Sequence, residues 1–250
     1  MSFVDRIVYR FIHRTRHGDG DRVHDEVGGA HHGHGDRQSA DATHGPGVRH
    51  TPGPGRTDDL TEPGRFSGEH ADRYAQRSRT RSRTRFYRRI ARDVARLAPP
   101  DGHVLDVGTG PGTLLLEIAR SRPDLRATGV DVEPAMVRTA AQAAREESLA
   151  DRVAVHAADV TDLPLAAAGV DVVVATLTAH HWPDVRAAVH ELVRVLRPGG
   201  TLLVVDFGSV VHEPLVAALA AAATTARVER SRRWAWGLPA LTTWRVTVPG

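Results

Sequence analysis

The sequence predicts an α/β fold: a doubly wound, mostly parallel seven-stranded sheet with helices on both faces. Three observations carry that prediction. From His103 onward, short β-branched runs alternate with amphipathic runs of helical period, the pattern of strands joined by helical crossovers. Acids fall at or near the carboxyl ends of successive strands, at Asp106, Asp131 and Asp159, on the side where open α/β sheets bind ligands. The first strand then runs into glycines at alternate positions, Gly108, Gly110 and Gly112, and a helix follows at once.

Taken in order, residues 1–16 form a short amphipathic N-terminal segment, with Phe3, Val4, Ile7, Val8, Phe11 and Ile12 at helical spacing. Residues 17–67 are rich in Gly, His, Asp, Arg and Pro and hold hardly any large apolar residue. Such a stretch buries too little surface to offset its ordering entropy, so a disordered linker is expected. Its histidines His31, His32 and His34 lack the spacing that would fix a coordination geometry, and no metal site is expected. The remaining domain is placed at 68–250, with a cofactor-binding core at 103–207.

Within it, Phe86, Ile90, Val94 and Leu97 repeat every 3.6 residues and predict a helix that ends at Pro99-Pro100-Asp101-Gly102. Strands are expected from His103 through the acid Asp106 toward the glycines, from Ala127 to Val132 with Asp131 at its end, from Val153 through Ala158 to Asp159, at Val170–Thr176 and at Thr201–Phe207. Helices are expected from Thr113, from Pro134, from after Asp184 to Leu196, and from about Glu213 to Ala223. Arg197-Pro198-Gly199-Gly200 reads as a turn, and two weaker strands near Ala226–Trp234 and Leu241–Val248 read as a final hairpin. Trp234, Trp236 and Trp244 are expected to pack there.

Composition narrows the function. The 250 residues include no cysteine, which excludes disulfides and thiolate chemistry. All 33 basic residues are arginine, yet 30 acids bring the net charge to only +3. That balance gives no strong nucleic-acid signal, although the Arg/Ser/Thr run at 77–85 could meet phosphates. No stretch reaches the ~20 apolar residues of a membrane-spanning helix. Arg6, Arg10 and Arg14 also break any secretory leader, so a cytoplasmic location is expected.

The loop itself points to a nucleotide-like ligand. Glycine tolerates positive φ and lets a ligand approach the backbone, and the next helix offers unpaired N–H groups. In the dinucleotide fingerprint the third glycine would fall one residue later, where Thr113 stands.

Val104-Leu105-Asp106-Val107-Gly108-Thr109-Gly110-Pro111-Gly112 resembles motif I of the class I S-adenosylmethionine-dependent methyltransferases. Gly129 to Val137, Ala158 to Pro164, Asp171 to Trp182 and Leu192 to Gly200 resemble that family's later segments in the same order. The resemblance implies a Rossmann-like sheet and S-adenosyl-L-methionine as cofactor. By it, Asp106, Gly108, Thr109, Gly110 and Gly112 hold the methionyl part, and Asp131 binds the ribose. Val132 is a further cofactor contact, Met136 packs by the adenine, Asp159 and the Val160 backbone read it, and Thr176 faces the sulfonium. The expected reaction is methyl transfer to a small-molecule acceptor.

Where the acceptor must lose a proton, His180 and His181 are the candidate catalytic bases, because neutral imidazole is available near pH 7. Alternatives are a nucleic-acid methyltransferase, a nicotinamide-dependent oxidoreductase and a non-catalytic binding protein of the same fold. The fourth strand ends Ala175-Thr176-Leu177-Thr178, without the Asn/Asp-Pro-Pro-aromatic signature of amino-directed nucleic-acid enzymes.

Overall fold

The computed structural model describes residues 81–222, 227–235 and 238–249. The N-terminal segment, the linker with its histidines, and the start of the domain up to residue 80 lie outside the described residues.

A helix at Arg81–Leu97 (α1) opens the described chain. Its predicted stripe turns inward at Ile90 and Val94, both buried. Arg122 closes its C-terminal end, donating from Nη1 to the Ala95 carbonyl at 2.7 Å and from Nη2 to Pro99 at 3.2 Å. A cation on the last carbonyls suits both their lone pairs and the helix dipole.

The alternation then follows: β1 (His103–Val107), α2 (Thr113–Ser121), β2 (Arg126–Asp131), α3 (Pro134–Glu146), β3 (Val153–Ala157) and β4 (Val170–Thr176). A 3₁₀ turn at Ala179–His181 leads to α4 (Val185–Val195), β5 (Leu196–Phe207), α5 (Gly208–Ala222), β6 (Arg227–Ala235) and β7 (Leu238–Thr247). Pro134 opens α3, where its missing N–H costs nothing. Asp184 caps α4, accepting from the Ala187 N–H at 2.9 Å.

The seven strands form one sheet in the order β3-β2-β1-β4-β5-β7-β6. The first five pair in parallel, and β7 enters antiparallel between β5 and β6. Strand order reverses at β1 and β4, so the crevice at their carboxyl ends is the ligand-binding position of such a sheet. Leu105, Val107, Val173, Ala175, Leu202 and Val204 pack with α4 and α5 through Val189, Leu192, Leu215 and Leu219. A second cluster joins α2 and α3 to β2 and β3 through Leu115, Leu116, Ala143, Ala144, Ala127 and Val153. Each fully buried aliphatic side chain contributes roughly 1.5–3 kcal/mol of transfer free energy, so these layers hold the site rigidly.

Three boundaries differ from expectation. β3 stops at Ala157, because the Asp159 carboxylate takes the Thr161 N–H and hydroxyl and turns the chain out of the ladder. Arg197-Pro198-Gly199-Gly200 is not a separate turn but an irregularity inside β5. Leu196 pairs with Val170 and Thr201 with Val172, and Gly199 takes φ +77° where the strand bulges. The last helix begins at Gly208, directly after β5, and carries Pro214 in its interior. The terminal hairpin pairs as expected and buries Trp244 completely. The Trp234 and Trp236 side chains lie outside the described ones.

Candidate functional site

Motif-I glycines make the turn between β1 and α2 possible. Gly108, Gly110 and Gly112 all lie in the left-handed region, at φ 65°, 56° and 80°, where a Cβ is disfavoured. Gly108 is also sterically obligatory. A Cβ there would sit 2.2 Å from the Thr178 hydroxyl oxygen, so the turn after β4 lies directly against the loop.

Hydrogen bonds fasten the loop to β2. The Thr109 N–H donates to the Val130 carbonyl at 3.0 Å, and the Gly110 N–H donates to Asp131 Oδ2 at 2.8 Å. Asp131 Oδ1 accepts from the Glu133 N–H at 2.9 Å. Asp131 therefore clasps the glycine loop and the entry to α3 together. Each oxygen spends one acceptor site on backbone and keeps capacity for a ligand. Burial pushes its carboxyl above the ordinary range, opposed by these two N–H donors.

Asp106 lies under the loop, 2% exposed, and accepts from the Thr109 hydroxyl at 2.8 Å. Desolvation dominates its behaviour and pushes its pKa up to about 7; the Thr109 bond opposes the shift and the nearby Asp131 charge adds to it.

Beyond the clasp, Val132 is 51% exposed, an apolar side chain facing water beside the site, while Met136 is buried against Ala135. Asp159 takes both its Thr161 bonds on Oδ1, leaving Oδ2 as an outward acceptor. The Val160 side chain is buried in the core, so only its backbone is available to a ligand.

The end of β4 is the second half of the site. Thr176 is buried, and its Oγ1 makes no hydrogen bond within the protein. Leu177 follows at φ 56°, a strained conformation for a branched residue, of the kind that concentrates at functional sites. Its N–H is held by the Val205 carbonyl at 2.8 Å. The 3₁₀ turn then separates the two candidate histidines. His181 is exposed. The His180 side chain is 4% exposed, and its Nδ1 meets Asp206 Oδ1 at 2.8 Å.

Sequence reasoning missed two residues here. Asp206 is buried near the end of β5, and the signal that singled out Asp131 and Asp159, an acid closing a strand, was present for it too. Thr178 carried no such signal; only its packing on Gly108 reveals it. Among the described residues, no group of three or more His, Asp or Glu is arranged to hold a metal ion, and no helix is long and apolar enough to cross a membrane.

Comparison with known proteins agrees with this architecture. Residues 105–204 match the family described as a methyltransferase domain. A demethylmenaquinone methyltransferase of Porphyromonas gingivalis is 34% identical over 112 residues, covering 44% of this chain and 46% of its own. The 27-O-demethylrifamycin SV methyltransferase of Amycolatopsis mediterranei is 36% identical over 104 residues, covering 42% and 38%. The chain thus spans less than half the length of either relative. A SAM-dependent methyltransferase structure from Aquifex aeolicus shares the fold at 20% identity and a TM-score of 0.58, over 70% of this chain and 97% of that one. Residues 105–204 are thus similar to methyltransferase domains, and the chain shares the fold of the Aquifex aeolicus structure.

Proposed function

We propose that this chain transfers a methyl group from S-adenosyl-L-methionine to a small-molecule acceptor. The observation that carries the reading is the glycine turn clasped by Asp131 at the carboxyl ends of β1 and β2. It is a tight positive-φ backbone turn beside two acids, Asp106 and Asp131.

The residues present fit the cofactor. The loop from Asp106 through Gly108, Thr109, Gly110 and Gly112 holds the methionyl part. Asp131 retains acceptor capacity for ribose hydroxyls. Val132 supplies an apolar face for adenine, Met136 packs against Ala135 in the helix that follows, and Asp159 Oδ2 and the Val160 backbone take the adenine edge. The unpartnered Thr176 hydroxyl lies at the end of β4, where the reacting groups converge.

When bound, the cofactor supplies a methyl group already activated by positive sulfur. The protein's task is then to hold the acceptor in line and keep water away, which supplies much of the rate. Small-molecule acceptors are supported by the two relatives, whose names specify demethylmenaquinone and 27-O-demethylrifamycin SV. A cytoplasmic location is part of the same reading.

The test uses the full chain with methyl-labelled S-adenosylmethionine, a low-molecular-mass extract of bacterial cells and, in parallel, total RNA. Label in the small-molecule fraction, lost in Asp131→Ala, is the expected result. Label confined to RNA would overturn the acceptor class, and an unaffected Asp131→Ala would overturn the cofactor placement.

A further inference from the structure

Positive charge is unevenly placed along this chain. Helix α1 carries seven arginines in its 17 residues and one acid, Asp93. Its formal charge therefore exceeds the net +3 of the whole protein. Arg85, Arg89, Arg92 and Arg96 follow one another at i, i+4, i+7 and i+11, the spacing that keeps side chains on one face of a helix. All four are exposed. Ile90, Ala91 and Val94 occupy the opposite face and are buried. The helix thus lies on the domain with a straight row of guanidinium groups turned to solvent, about 16 Å long at the rise of an α-helix.

Little within the protein neutralises that row. Asp93 Oδ1 accepts from Arg96 Nη1 at 3.3 Å, an exposed pair of small energetic weight. Among the described residues, no carboxylate pairs with Arg85, Arg89 or Arg92. Arg88, one step round the helix, has a different task. Its Nε donates to the buried Glu117 of α2 at 3.1 Å and ties α1 to the domain. Like charges three and four residues apart on a helix repel one another, and an anionic partner relieves that repulsion. Guanidinium suits phosphate in particular, because its planar fork donates two parallel N–H bonds.

Two features favour a lipid surface over a nucleic acid as the source of those phosphates. The row holds no aromatic side chain on which a base could stack: Phe86 and Tyr87 are half-buried and pair edge-to-face with each other at 5.3 Å. In the sequence of residues 1–16, apolar residues from Phe3 to Ile12 recur at helical spacing, with Arg6 and Arg10 between them. That amphipathic basic pattern has a use for its apolar side at a membrane interface and none on a nucleic acid.

We infer that the arginine row of α1 is a docking surface for a membrane rich in anionic phospholipid, its guanidinium groups meeting the headgroup phosphates. That face takes no part in the proposed cofactor and acceptor chemistry. Joined to the methyltransferase reading, docking there holds the enzyme at a surface where acceptors of low polarity concentrate.

The test uses the full chain with three probes: mixed vesicles of phosphatidylglycerol and phosphatidylcholine, vesicles of phosphatidylcholine alone, and single- and double-stranded RNA. Flotation of the protein with the mixed vesicles alone is expected, weakening steeply as salt shortens the Debye length. Replacing all four residues together, Arg85→Gln, Arg89→Gln, Arg92→Gln and Arg96→Gln, keeps good helix formers and removes the charge. That variant should bind the mixed vesicles ~10²–10³-fold more weakly. The same four positions changed to Lys should stay within about tenfold of wild type, since either cation is drawn to the surface. Melting temperature and S-adenosylhomocysteine binding, measured on every sample, should be unchanged and so separate lost docking from lost fold.

Equal binding to phosphatidylcholine alone, undiminished vesicle binding in the Gln variant, or wild-type protein that binds no vesicle would each overturn the inference. Binding to RNA with none to vesicles would replace the membrane with a nucleic acid. Wild type that docks on the mixed vesicles but binds no S-adenosylhomocysteine would overturn the methyltransferase reading and leave the docking surface standing.

Discussion

At the residue scale, burial governs Asp106 more than any partner does. Its pKa rises from an ordinary aspartate value of 3.8 to about 7, chiefly by desolvation. A raised carboxyl pKa means that the folded state holds its proton while the unfolded chain has already lost it. Stability therefore falls as pH rises through that window, from about 4 to about 7, and the penalty persists above it. The total is on the order of a few kcal/mol. Asp106→Asn should flatten this part of the ligand-free protein's melting profile and raise its melting temperature most on the alkaline side. An Asp106→Asn profile parallel to wild type would show that the carboxyl titrates elsewhere.

The same residues show what a sequence can and cannot carry. The three loop glycines were readable because a positive-φ turn before a helix admits few alternatives. That Asp131 spends one acceptor site on each oxygen clasping backbone, and that Asp206 orients His180, are facts of neighbours brought together across 21 and 26 residues of chain. Strand-end position suggested a role for the first acid, but no local pattern revealed the partners of either.

Among elements, the segment after β3 is held from a distance by α4. Glu191 Oε1 accepts the Leu163 N–H at 2.9 Å, and Arg194 donates to the Leu165 carbonyl at 2.9 Å while bonding to Glu191. These two residues fasten the stretch that presents Asp159 and Val160. Arg194 beside it, together with the Leu163 N–H, holds the Glu191 carboxyl below its ordinary range against partial desolvation. Its stabilising effect is thus complete above the unfolded value near 4.5 and is lost as pH falls through the lower folded one.

Glu191→Ala should cost roughly 1–2 kcal/mol by removing these bonds from a partly exposed clamp, a fall of about 2–6 °C in melting temperature for a domain of this size. Adenosyl-ligand affinity should fall as well on the proposed placement of adenine, because the segment that carries Asp159 and Val160 loses its tether. An unchanged affinity would show that the segment is held by its own Asp159–Thr161 turn. The existence of β3 and α4 was legible from hydrophobic period. The clamp was not, since an exposed Glu/Arg pair on a helix reads as solvated surface. The early end of β3 and the bulge in β5 escaped for a related reason: a carboxylate turn and a Gly-centred irregularity decide them, and apolar pattern registers neither.

At the scale of the whole molecule, the parallel order β3-β2-β1-β4-β5 places three strand-end acids, the glycine loop and the β4 turn along one edge of the sheet. Alternating strand and helix patterns predicted that these strands pair in parallel, though not their order, because helical crossovers leave few other ways to bury both faces of the strands. The position of β7 between β5 and β6 was not predictable from two weak apolar runs; it depends on Trp244 finding the core beside β5.

The measurement that tests the account most directly is calorimetric binding of S-adenosylhomocysteine and of NADH to the full chain and to Asp131→Asn. Exchanging one carboxylate oxygen for an amide keeps the side chain's size but removes an acceptor from either the clasp or the ligand. One-site binding of S-adenosylhomocysteine is expected, with a loss of about tenfold or more in Asp131→Asn, corresponding to ~1.4 kcal/mol, and no binding of NADH. Binding of NADH in place of S-adenosylhomocysteine, or an adenosyl ligand indifferent to Asp131→Asn, would contradict it.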